Sequence, residues 1–241
     1  MLDVRTQSPA AIPGTLTGTH LITGGASGLG LAIADAVAAA GGTPVIFDRQ
    51  AVDRPYESHT VDVTDRAMLS RCVQTIAKRS GDLASVVANA GIDACGQLHD
   101  VDADRWERVV SVNLLGVASL VRAALPYLLE NRGRVVTVAS TLGLRALADA
   151  TAYCASKFGV VGFTRALSAE VAGRIGVTLL LPGGMRTAFF DGRDPKYQPP
   201  PNAPLNAAEN VARAVVFALS QPPGCDVREM LVCPWGESSW P

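Results

Sequence analysis

A tyrosine and a lysine four positions apart, Tyr153 and Lys157, are the side chains of this sequence best suited to proton transfer. In a helix this spacing puts both side chains on one face, with their Cβ atoms about 6 Å apart. A phenol has a pKa of about 10 in water, and a neighbouring ammonium group lowers it by stabilising the phenolate. Tyr153 could therefore exchange a proton with an alcohol or carbonyl oxygen.

Ser140 lies thirteen positions before Tyr153, at the end of a run of β-branched and apolar residues. If that run is a strand of a parallel sheet, Ser140 lies at the edge of the sheet where ligands bind. A hydroxyl there is a suitable hydrogen-bond donor to an oxygen that gains negative charge. Taken alone, Ser140 could equally be a serine of the turn that follows the strand.

A glycine-rich segment, TGGASGLG from Thr23 to Gly30, separates a short apolar run from an alanine-rich one. Between a strand and a helix, such glycines allow a tight turn and a close approach to a pyrophosphate, which the helix N-terminus attracts. On its own the segment could also be an ordinary turn. The residues expected to bind a dinucleotide here are Gly24, Ser27, Gly28, Leu29 and Gly30.

Candidates for the adenosine end of that dinucleotide follow the next three apolar runs. Asp48 comes 18 positions after Gly30, where a carboxylate can accept hydrogen bonds from ribose hydroxyls and would repel a 2′-phosphate. Arg49 is the one neighbouring cation that could instead bind such a phosphate. We therefore expect NAD rather than NADP as the cofactor. The adenosine end is completed by Asp62, Val63, Asn89, Ala90 and Gly91.

The framework that positions these residues is predicted by an alternation of short apolar runs with longer alanine-rich segments. This alternation is typical of a parallel α/β sheet with helices on both faces. Seven strands are predicted, at residues 19–23, 43–47, 58–61, 83–88, 134–139, 176–181 and 229–233. The first four are nearly continuous in apolar or β-branched residues, which favours buried strands. Helices are predicted at residues 29–40, 66–78, 103–130, 152–172 and 207–219.

The 241 residues are enough for a single doubly wound α/β domain. We expect residues 1–15 to be a flexible N-terminal extension and residues 16–241 to form the domain. A proline-rich loop at about 188–205 interrupts it late. Because this loop leaves the ligand-binding edge and combines aromatic residues with stiff prolines, we expect it to be a lid over the substrate.

Composition narrows the range of partners. The 22 acidic and 21 basic residues nearly cancel, so nothing favours nucleic acid, and a small molecule is the expected partner. The five cysteines form no CxxC pair and no cluster with histidine, which argues against a metal site or a disulfide framework. No apolar run of about 20 residues and no secretion signal is evident, so we expect no membrane contact and a cytoplasmic location. The largely apolar stretches 114–129 and 158–171 predict a homodimer or homotetramer.

In order and spacing, seven motifs resemble those of the short-chain dehydrogenase/reductase family, over residues 16–232. They are TGGASGLG (Thr23–Gly30), DVTD (Asp62–Asp65), NAG (Asn89–Gly91), VNLLG (Val112–Gly116), Ser140, YCASK (Tyr153–Lys157) and PGGMRT (Pro182–Thr187). The resemblance implies a Rossmann-type fold. It also implies an NAD-dependent oxidoreductase that interconverts a secondary alcohol and a ketone.

The resemblance further implies a catalytic tetrad of Asn113, Ser140, Tyr153 and Lys157. Tyr153 would be the general acid or base, and Ser140 would hydrogen-bond the substrate oxygen. Lys157 would bind the nicotinamide ribose and lower the pKa of Tyr153, while Asn113 would position a water molecule in a proton relay. Without the resemblance, Asn113 could equally be a polar residue of a helix interior that bonds to backbone. The nicotinamide end would be completed by Tyr153, Pro182, Gly183 and Thr187.

Three departures from the family pattern concern the C-terminal half. Pro234 and Trp235 stand where many relatives have an Asp-Gly-Gly turn, and Gly184 stands where relatives usually carry a larger side chain. We expect Gly184 to widen the pocket. The third departure is the loop 188–205. With this loop as a lid, the expected lining of a pocket for a hydrophobic substrate is Leu142, Leu144, Met185, Phe189 and Phe190.

Three other functions fit part of the pattern. An NADPH-dependent ketoreductase requires Arg49 to outweigh Asp48 in cofactor choice. A non-catalytic NAD-binding sensor or scaffold would not need a complete tetrad, and all four positions are occupied here. A mainly structural oligomer would account for the apolar helices and would leave Tyr153 and Lys157 without a role.

Overall fold

The computed structural model describes residues 15–237. The predicted N-terminal extension therefore lies outside the described residues, apart from Thr15, as do the last four residues of the chain.

A seven-stranded parallel sheet forms the centre of the structure, and a separate short parallel ladder lies outside it. The strands are β1 Thr19–Thr23, β2 Thr43–Asp48, β3 Glu57–Thr60, β4 Leu83–Ala88, β5 Arg134–Val138, β6 Gly176–Pro182, β7 Met185–Arg186, β8 Asn206–Ala207 and β9 Glu229–Val232. The order in the main sheet is β3-β2-β1-β4-β5-β6-β9, and β7 and β8 form the short ladder. The order reverses direction between β1 and β4, which is the switch point where ligands bind in doubly wound folds.

Helices cover both faces of this sheet. They are α1 Gly28–Ala39, α2 Arg66–Ser80, α3 Ala103–Val110, α4 Gly116–Asn131, α5 Thr151–Glu170 and α6 Ala208–Leu219. Successive strand residues point to opposite faces, so Leu21 packs in one core with α2, α4 and α5, while Ile22 packs in the other with α1 and α6. Each fully buried aliphatic side chain contributes about 1.5–3 kcal/mol to folding. The predicted doubly wound α/β class and its seven-stranded parallel sheet are confirmed.

The strand β3 differs from its predicted character. Instead of a buried run, its side chains alternate between partly buried and exposed. The reason is its place in the sheet, since within residues 15–237 β3 is an edge strand that pairs only with β2. The buried residue Val61 that suggested a continuous apolar run comes just after the strand ends.

The long helix predicted at 103–130 is one helical segment from Ala103 to Asn131. Its hydrogen-bonding pattern changes to that of a π-helix over Ser111–Leu115, between α3 and α4. Contrary to the sequence-based expectation, this segment is long and apolar enough to span a membrane by length and composition. A core helix of a globular protein has the same properties. Here Leu120, Val121 and Leu128 are buried in the core beside α2 and the sheet.

Candidate active site

A cleft of about 1020 Å³ runs along the carboxyl ends of the central strands. Its walls are the segments that follow β1, β2, β4, β5 and β6, as expected for a doubly wound sheet. The predicted site residues that line it are Gly24, Ser27, Gly28, Leu29, Asp48, Arg49, Asp62, Val63, Asn89, Ala90, Gly91, Ser140, Leu142, Tyr153, Lys157, Pro182, Gly183, Met185, Thr187, Phe189 and Phe190.

The glycine-rich turn after β1 depends on the absence of side chains. Gly24 has a φ of 68°, and a Cβ on it would lie 2.8 Å from the Cα of Ala90. Gly30 does not line the cleft, but a Cβ there would overlap the carbonyl oxygen of Gly24. Asn89 fixes the same turn from the next strand, because its amide donates to the carbonyls of Thr23 and Gly24 at 3.0 Å each. The turn therefore keeps its backbone open to the cleft.

Asp48 is held in place at the end of β2. One carboxylate oxygen accepts a hydrogen bond from the Ala26 N–H of the glycine-rich turn, and the other accepts one from the Gln50 N–H, both at 2.9 Å. A carboxylate oxygen can accept more than one hydrogen bond, so Asp48 retains capacity to bind hydroxyl groups. This geometry joins the predicted ribose acceptor to the predicted pyrophosphate turn.

Arg49 points towards Asp62 at the predicted adenosine end of the cleft. Its Nε lies 3.6 Å from the Asp62 carboxylate, and its side chain is 68% exposed. Arg108 binds the same carboxylate more closely, at 2.6 Å. Burial tends to raise the pKa of Asp62, but hydrogen bonds from Thr64 and Arg108 outweigh it and lower that pKa to about 2. Asp62 therefore remains charged and compensates both arginines.

Tyr153 and Lys157 project from the first turns of α5 into the cleft. Lys157 is buried, and its Nζ donates to the Val138 carbonyl at 2.8 Å and lies 5.6 Å from the centre of the Tyr153 ring. Burial lowers the pKa of Lys157 to about 8, while the negative charge of Asp93 opposes the shift. The ammonium form is thus favoured at neutral pH.

The acidity of Tyr153 differs from the sequence-based expectation. Although the residue is only partly buried in the wall of the cleft, burial raises its pKa above the ordinary value, and hydrogen bonding with Ser140 opposes the rise. Asp93 raises the pKa further, whereas Arg193 lowers it. The pKa of Tyr153 is therefore raised, and not lowered as expected, because the cost of burying the phenolate dominates.

Ser140 lies between the end of β5 and a 3₁₀ turn at Thr141–Gly143. Its hydroxyl oxygen accepts a hydrogen bond from the Leu142 N–H at 3.1 Å, which fixes the side chain at the base of the cleft. The position next to Tyr153 brings two hydroxyl groups together, as a reacting oxygen would require.

Asn113 does not line the cleft. It is fully buried in the π-helical turn, where its amide group donates to the Ile92 carbonyl and to Ser156 and accepts from the Ile92 N–H, at 2.8–3.0 Å. The amide therefore bonds to backbone, which is the alternative that the sequence left open. It fixes the segment after β4 to α5, and its role in a water relay stays a prediction.

The pocket beyond Tyr153 has the predicted aromatic wall. Phe189 and Phe190 stack edge to face, with ring centres 5.8 Å apart, and Leu142 and Met185 lie in the same cleft. Leu144 is the exception to the predicted lining, because its side chain packs against the hydrophobic core instead. Gly184 also differs from expectation. A Cβ there would lie 2.9 Å from Leu205, so Leu205 occupies the space that the missing side chain leaves.

Charged residues that sequence reasoning missed lie at the same end of the cleft. Arg193 forms an ion pair with Asp93 at 3.0 Å and places its guanidinium 4.8 Å from the centre of the Phe189 ring. Tyr197 donates to the carboxylate of Asp149 at 3.2 Å. Both contacts tie the loop 188–205 to segments that follow other strands. The position of Asp93 directly after the NAG motif and Ile92 was the one sequence signal for this group.

The turn after β6 closes the opposite wall. Gly183 donates its N–H to the Val232 carbonyl at 3.0 Å, and Thr187 lies beside Gly28 of the glycine-rich turn. Within residues 15–237, no group of three or more His, Cys, Asp and Glu side chains could hold a metal ion. The described cleft therefore contains hydroxyl, ammonium and carboxylate groups beside a glycine-rich turn suited to binding phosphate.

Comparison with known proteins agrees with this geometry. The chain is 32% identical over 224 residues to 2-(S)-hydroxypropyl-CoM dehydrogenase 3 of Xanthobacter autotrophicus, covering 83% of this chain and 88% of that protein. It is 31% identical over 219 residues to a 3-oxoacyl-(acyl-carrier-protein) reductase of Thermotoga maritima, covering 83% and 89%.

A solved structure shows the same fold. It is the alcohol dehydrogenase of the archaeon Thermococcus sibiricus complexed with 5-hydroxy-NADP, which has a TM-score of 0.81 and 24% identity and covers 90% of this chain and 96% of that one. Residues 19–198 match the family model described as short chain dehydrogenase. The chain therefore belongs to the short-chain dehydrogenase/reductase family, whose members are oxidoreductases that act on CH–OH or C=O groups with a nicotinamide cofactor.

Proposed function

We propose that this protein transfers a hydride between NAD(H) and a secondary alcohol or ketone. The observation that carries the proposal is the gathering of Tyr153, Lys157 and Ser140 in one cleft with the glycine-rich turn and Asp48. A proton-transfer group and a dinucleotide-binding edge are the two parts that such a reaction needs.

The residues present fit a nicotinamide dinucleotide. Gly24 and Gly28 leave the backbone of the first turn open, and the N-terminus of α1 follows directly, which suits a pyrophosphate. Thr187, beside Gly28, is proposed to bind the nicotinamide carboxamide, with Pro182 and Gly183 shaping the turn. When bound, the nicotinamide supplies or accepts the hydride.

Tyr153 is proposed to move the proton that accompanies the hydride. In alcohol oxidation its phenolate takes the proton of the substrate hydroxyl, and in ketone reduction its phenol returns a proton to the substrate oxygen. Ser140 donates a hydrogen bond to the same oxygen. Lys157 supports the phenolate by its charge, which is present below its pKa of about 8.

The choice of NAD rests on Asp48. Its two backbone hydrogen bonds hold the carboxylate where it can accept ribose hydroxyls, and its charge opposes a 2′-phosphate. Arg49 is the cation that would favour NADP, but Asp62 lies within ion-pair distance of it and Arg108 shares the same acid. The NADP analogue in the archaeal structure belongs to a relative of 24% identity, which bears on the fold alone.

The substrate is proposed to be hydrophobic, and the loop 188–205 is proposed to close over it. Leu142, Met185, Phe189 and Phe190 line this part of the cleft. The charges of Asp93 and Arg193 compensate each other, so their ion pair does not select for a charged substrate.

Titration of the purified protein with NADH and with NADPH, followed by nicotinamide fluorescence, tests the proposal. We expect NADH to bind at least tenfold more tightly than NADPH. Loss of the hydrogen bonds between Asp48 and the ribose reduces the binding free energy by about 1.4 kcal/mol or more, which corresponds to that factor. Asp48→Ala should weaken the binding of NADH and reduce the preference for NADH over NADPH. Asp53→Ala, which removes a nearby exposed carboxylate, should change neither the binding nor the preference. Preference for NADPH would overturn the cofactor choice, and binding of neither would overturn the oxidoreductase function.

We also propose that the protein is a homodimer or homotetramer. Leu115 and Phe158 are 55% and 44% exposed on neighbouring helical segments, and exposed apolar side chains of this size favour a covered face. Multi-angle light scattering measures the mass directly. A mass of one chain across the concentrations used for the binding assays would contradict the oligomer.

A further inference from the structure

The three departures of this chain from its family pattern meet at one point of the structure. Gly184 lies between the loop 188–205 and the C-terminal segment. Its carbonyl accepts a hydrogen bond from the Asn206 N–H at 2.9 Å, just after that loop ends, and its own N–H donates at 2.7 Å to the carboxylate of Glu237. Pro204 in turn contacts the backbone at Gly236, where an added Cβ would lie 3.2 Å away.

Glu237 reaches this point through a short turn. Its N–H donates to the Pro234 carbonyl at 3.1 Å, which folds the C-terminal segment back towards the cleft. Its side chain lines the cleft together with Gly183, Gly184 and Thr187. The carboxylate thus lies against the turn that follows β6, and a charge-assisted hydrogen bond joins the two.

The two glycines of this turn are matched to that carboxylate. A Cβ on Gly183 would overlap the carboxylate oxygen of Glu237 that accepts from Gly184, and would lie 3.0 Å from the Cys233 sulfur. Gly184 has no positive φ, so its backbone conformation does not require glycine. Both positions require glycine because there is no room for a side chain: Glu237 fills one side of the turn and Leu205 fills the other.

We propose that Glu237 is a positioning residue for cofactor binding, which fixes the turn Pro182–Thr187 by accepting the Gly184 N–H. This inference rests on the proposed function, because that turn is the proposed binding site of the nicotinamide carboxamide. Glu237 acts through the turn and also restrains the exit of the loop 188–205, since Asn206 and Leu205 contact the same glycine. The segment Pro234–Glu237 therefore packs against Gly183 and Gly184, and each part fixes the other.

The experiment measures the dissociation constant of NADH for the whole protein and its variants. Glu237→Ala removes the acceptor, and we expect the constant to rise about tenfold, the loss of one charge-assisted hydrogen bond. Glu237→Gln keeps an amide oxygen that can accept from Gly184, and should recover most of the affinity. Glu107→Ala, which removes an exposed glutamate of α3, should leave the constant unchanged. The melting temperature is compared throughout, because a general loss of folding would lower it.

A double-variant cycle shows whether the loss of affinity comes from the contact between Glu237 and the turn Pro182–Thr187 or from a general disturbance of the fold. Gly183→Ala should displace the Glu237 carboxylate and weaken NADH binding as Glu237→Ala does. Because both changes break the same contact, the double variant should bind hardly more weakly than either single one. Unchanged affinity in Glu237→Ala, additive losses in the cycle, or no recovery in Glu237→Gln would each overturn the proposal. If the unaltered protein bound neither NADH nor NADPH, the proposed function itself would fail.

Discussion

The ring of Phe189 packs against the ring of Tyr153, with ring centres 5.8 Å apart and planes inclined by 55°. Phe189 belongs to the loop 188–205, and Tyr153 belongs to α5, so this contact joins the proposed lid to the proposed proton-transfer residue. Arg193 lies over the ring of Phe190, the next residue of the loop, 4.6 Å from the ring centre, and is held by Asp93. The position of the lid and the environment of the phenol are therefore coupled.

Phe189→Ala should weaken substrate binding without changing cofactor binding. The substitution removes a wall of the pocket, and loss of a partly buried aromatic contact of this kind corresponds to about a tenfold rise in KM. Steady-state kinetics with a hydrophobic ketone measures it, together with the dissociation constant of NADH. Phe217→Ala, on the exposed side of α6, is the control. Unaltered KM and kcat in Phe189→Ala would contradict the proposed lid.

Tyr153→Phe should abolish proton transfer while leaving the cleft intact. Removal of a general acid or base costs about 10²- to 10⁴-fold in rate, and the ring that contacts Phe189 is retained. We expect kcat to fall by that factor and the NADH dissociation constant to change little. Tyr127→Phe, which removes a hydroxyl remote from the cleft, should keep full activity. Substantial turnover in Tyr153→Phe would exclude Tyr153 as the proton-transfer residue.

Arg193→Met should lower the rate of alcohol oxidation at any pH below the pKa of Tyr153, because less of the residue is then phenolate. Arg193 lowers the pKa of Tyr153 and Asp93 raises it, so loss of the cation leaves the raising effect uncompensated. Because the ion pair is largely buried, removal of one partner should also destabilise the protein by about 3–5 kcal/mol, since the remaining charge is left uncompensated.

The double variant Asp93→Asn/Arg193→Met is the matched test of that mechanism. It removes both charges, so the rate of alcohol oxidation at each pH should return towards that of the unaltered protein, and part of the stability should return with it. Rates compared at matched pH values and urea unfolding measure the two effects. A rate that stays lowered in the double variant would show that Arg193 does not act on Tyr153 through its charge.

The sheet, and the edge of it where the candidate cofactor residues gather, could be predicted because their signals are local. Apolar runs identify strands, and parallel strands bring Thr23, Asp48 and Ser140 to the same edge whatever the loops do. The edge character of β3 could not be predicted in this way. Its sequence, with Val61 adjacent, resembles a buried run, and only the strand order shows that no strand of the described residues pairs with its outer side.

The missed parts of the site depend on contacts between distant loops. The pairs Asp93–Arg193 and Gly184–Glu237 each join segments that follow different strands, and neither residue type nor spacing indicates the partner. Asn113 is a different case. The motif located it, but its orientation depends on the π-helical turn, which directs the amide to Ile92 and away from the cleft. The motifs therefore predicted where the site residues lie along the chain, whereas tertiary packing determines which way their side chains point.

His20→Gln should reduce the loss of stability between pH 7 and pH 5. The ring of His20 is buried in β1, where its Nε2 lies 3.2 Å from the Thr17 carbonyl and its Nδ1 lies 2.7 Å from the Ser85 hydroxyl. A carbonyl only accepts, so Nε2 donates and the neutral ring accepts from Ser85. Burial lowers the pKa of His20 to about 4, against opposing effects of Thr17 and Asp82.

Because the folded protein resists protonation of His20, the unfolded chain takes up this proton first as the pH falls below about 6.5, and stability is lost between there and about 4. At pH 5 the loss from this one group is about 2 kcal/mol, and His20→Gln should lack it. Urea unfolding at both pH values measures the difference, with His99→Gln, an exposed histidine, as the control. Equal losses in His20→Gln and in the unaltered protein would show that His20 is protonated as readily in the fold as in the unfolded chain.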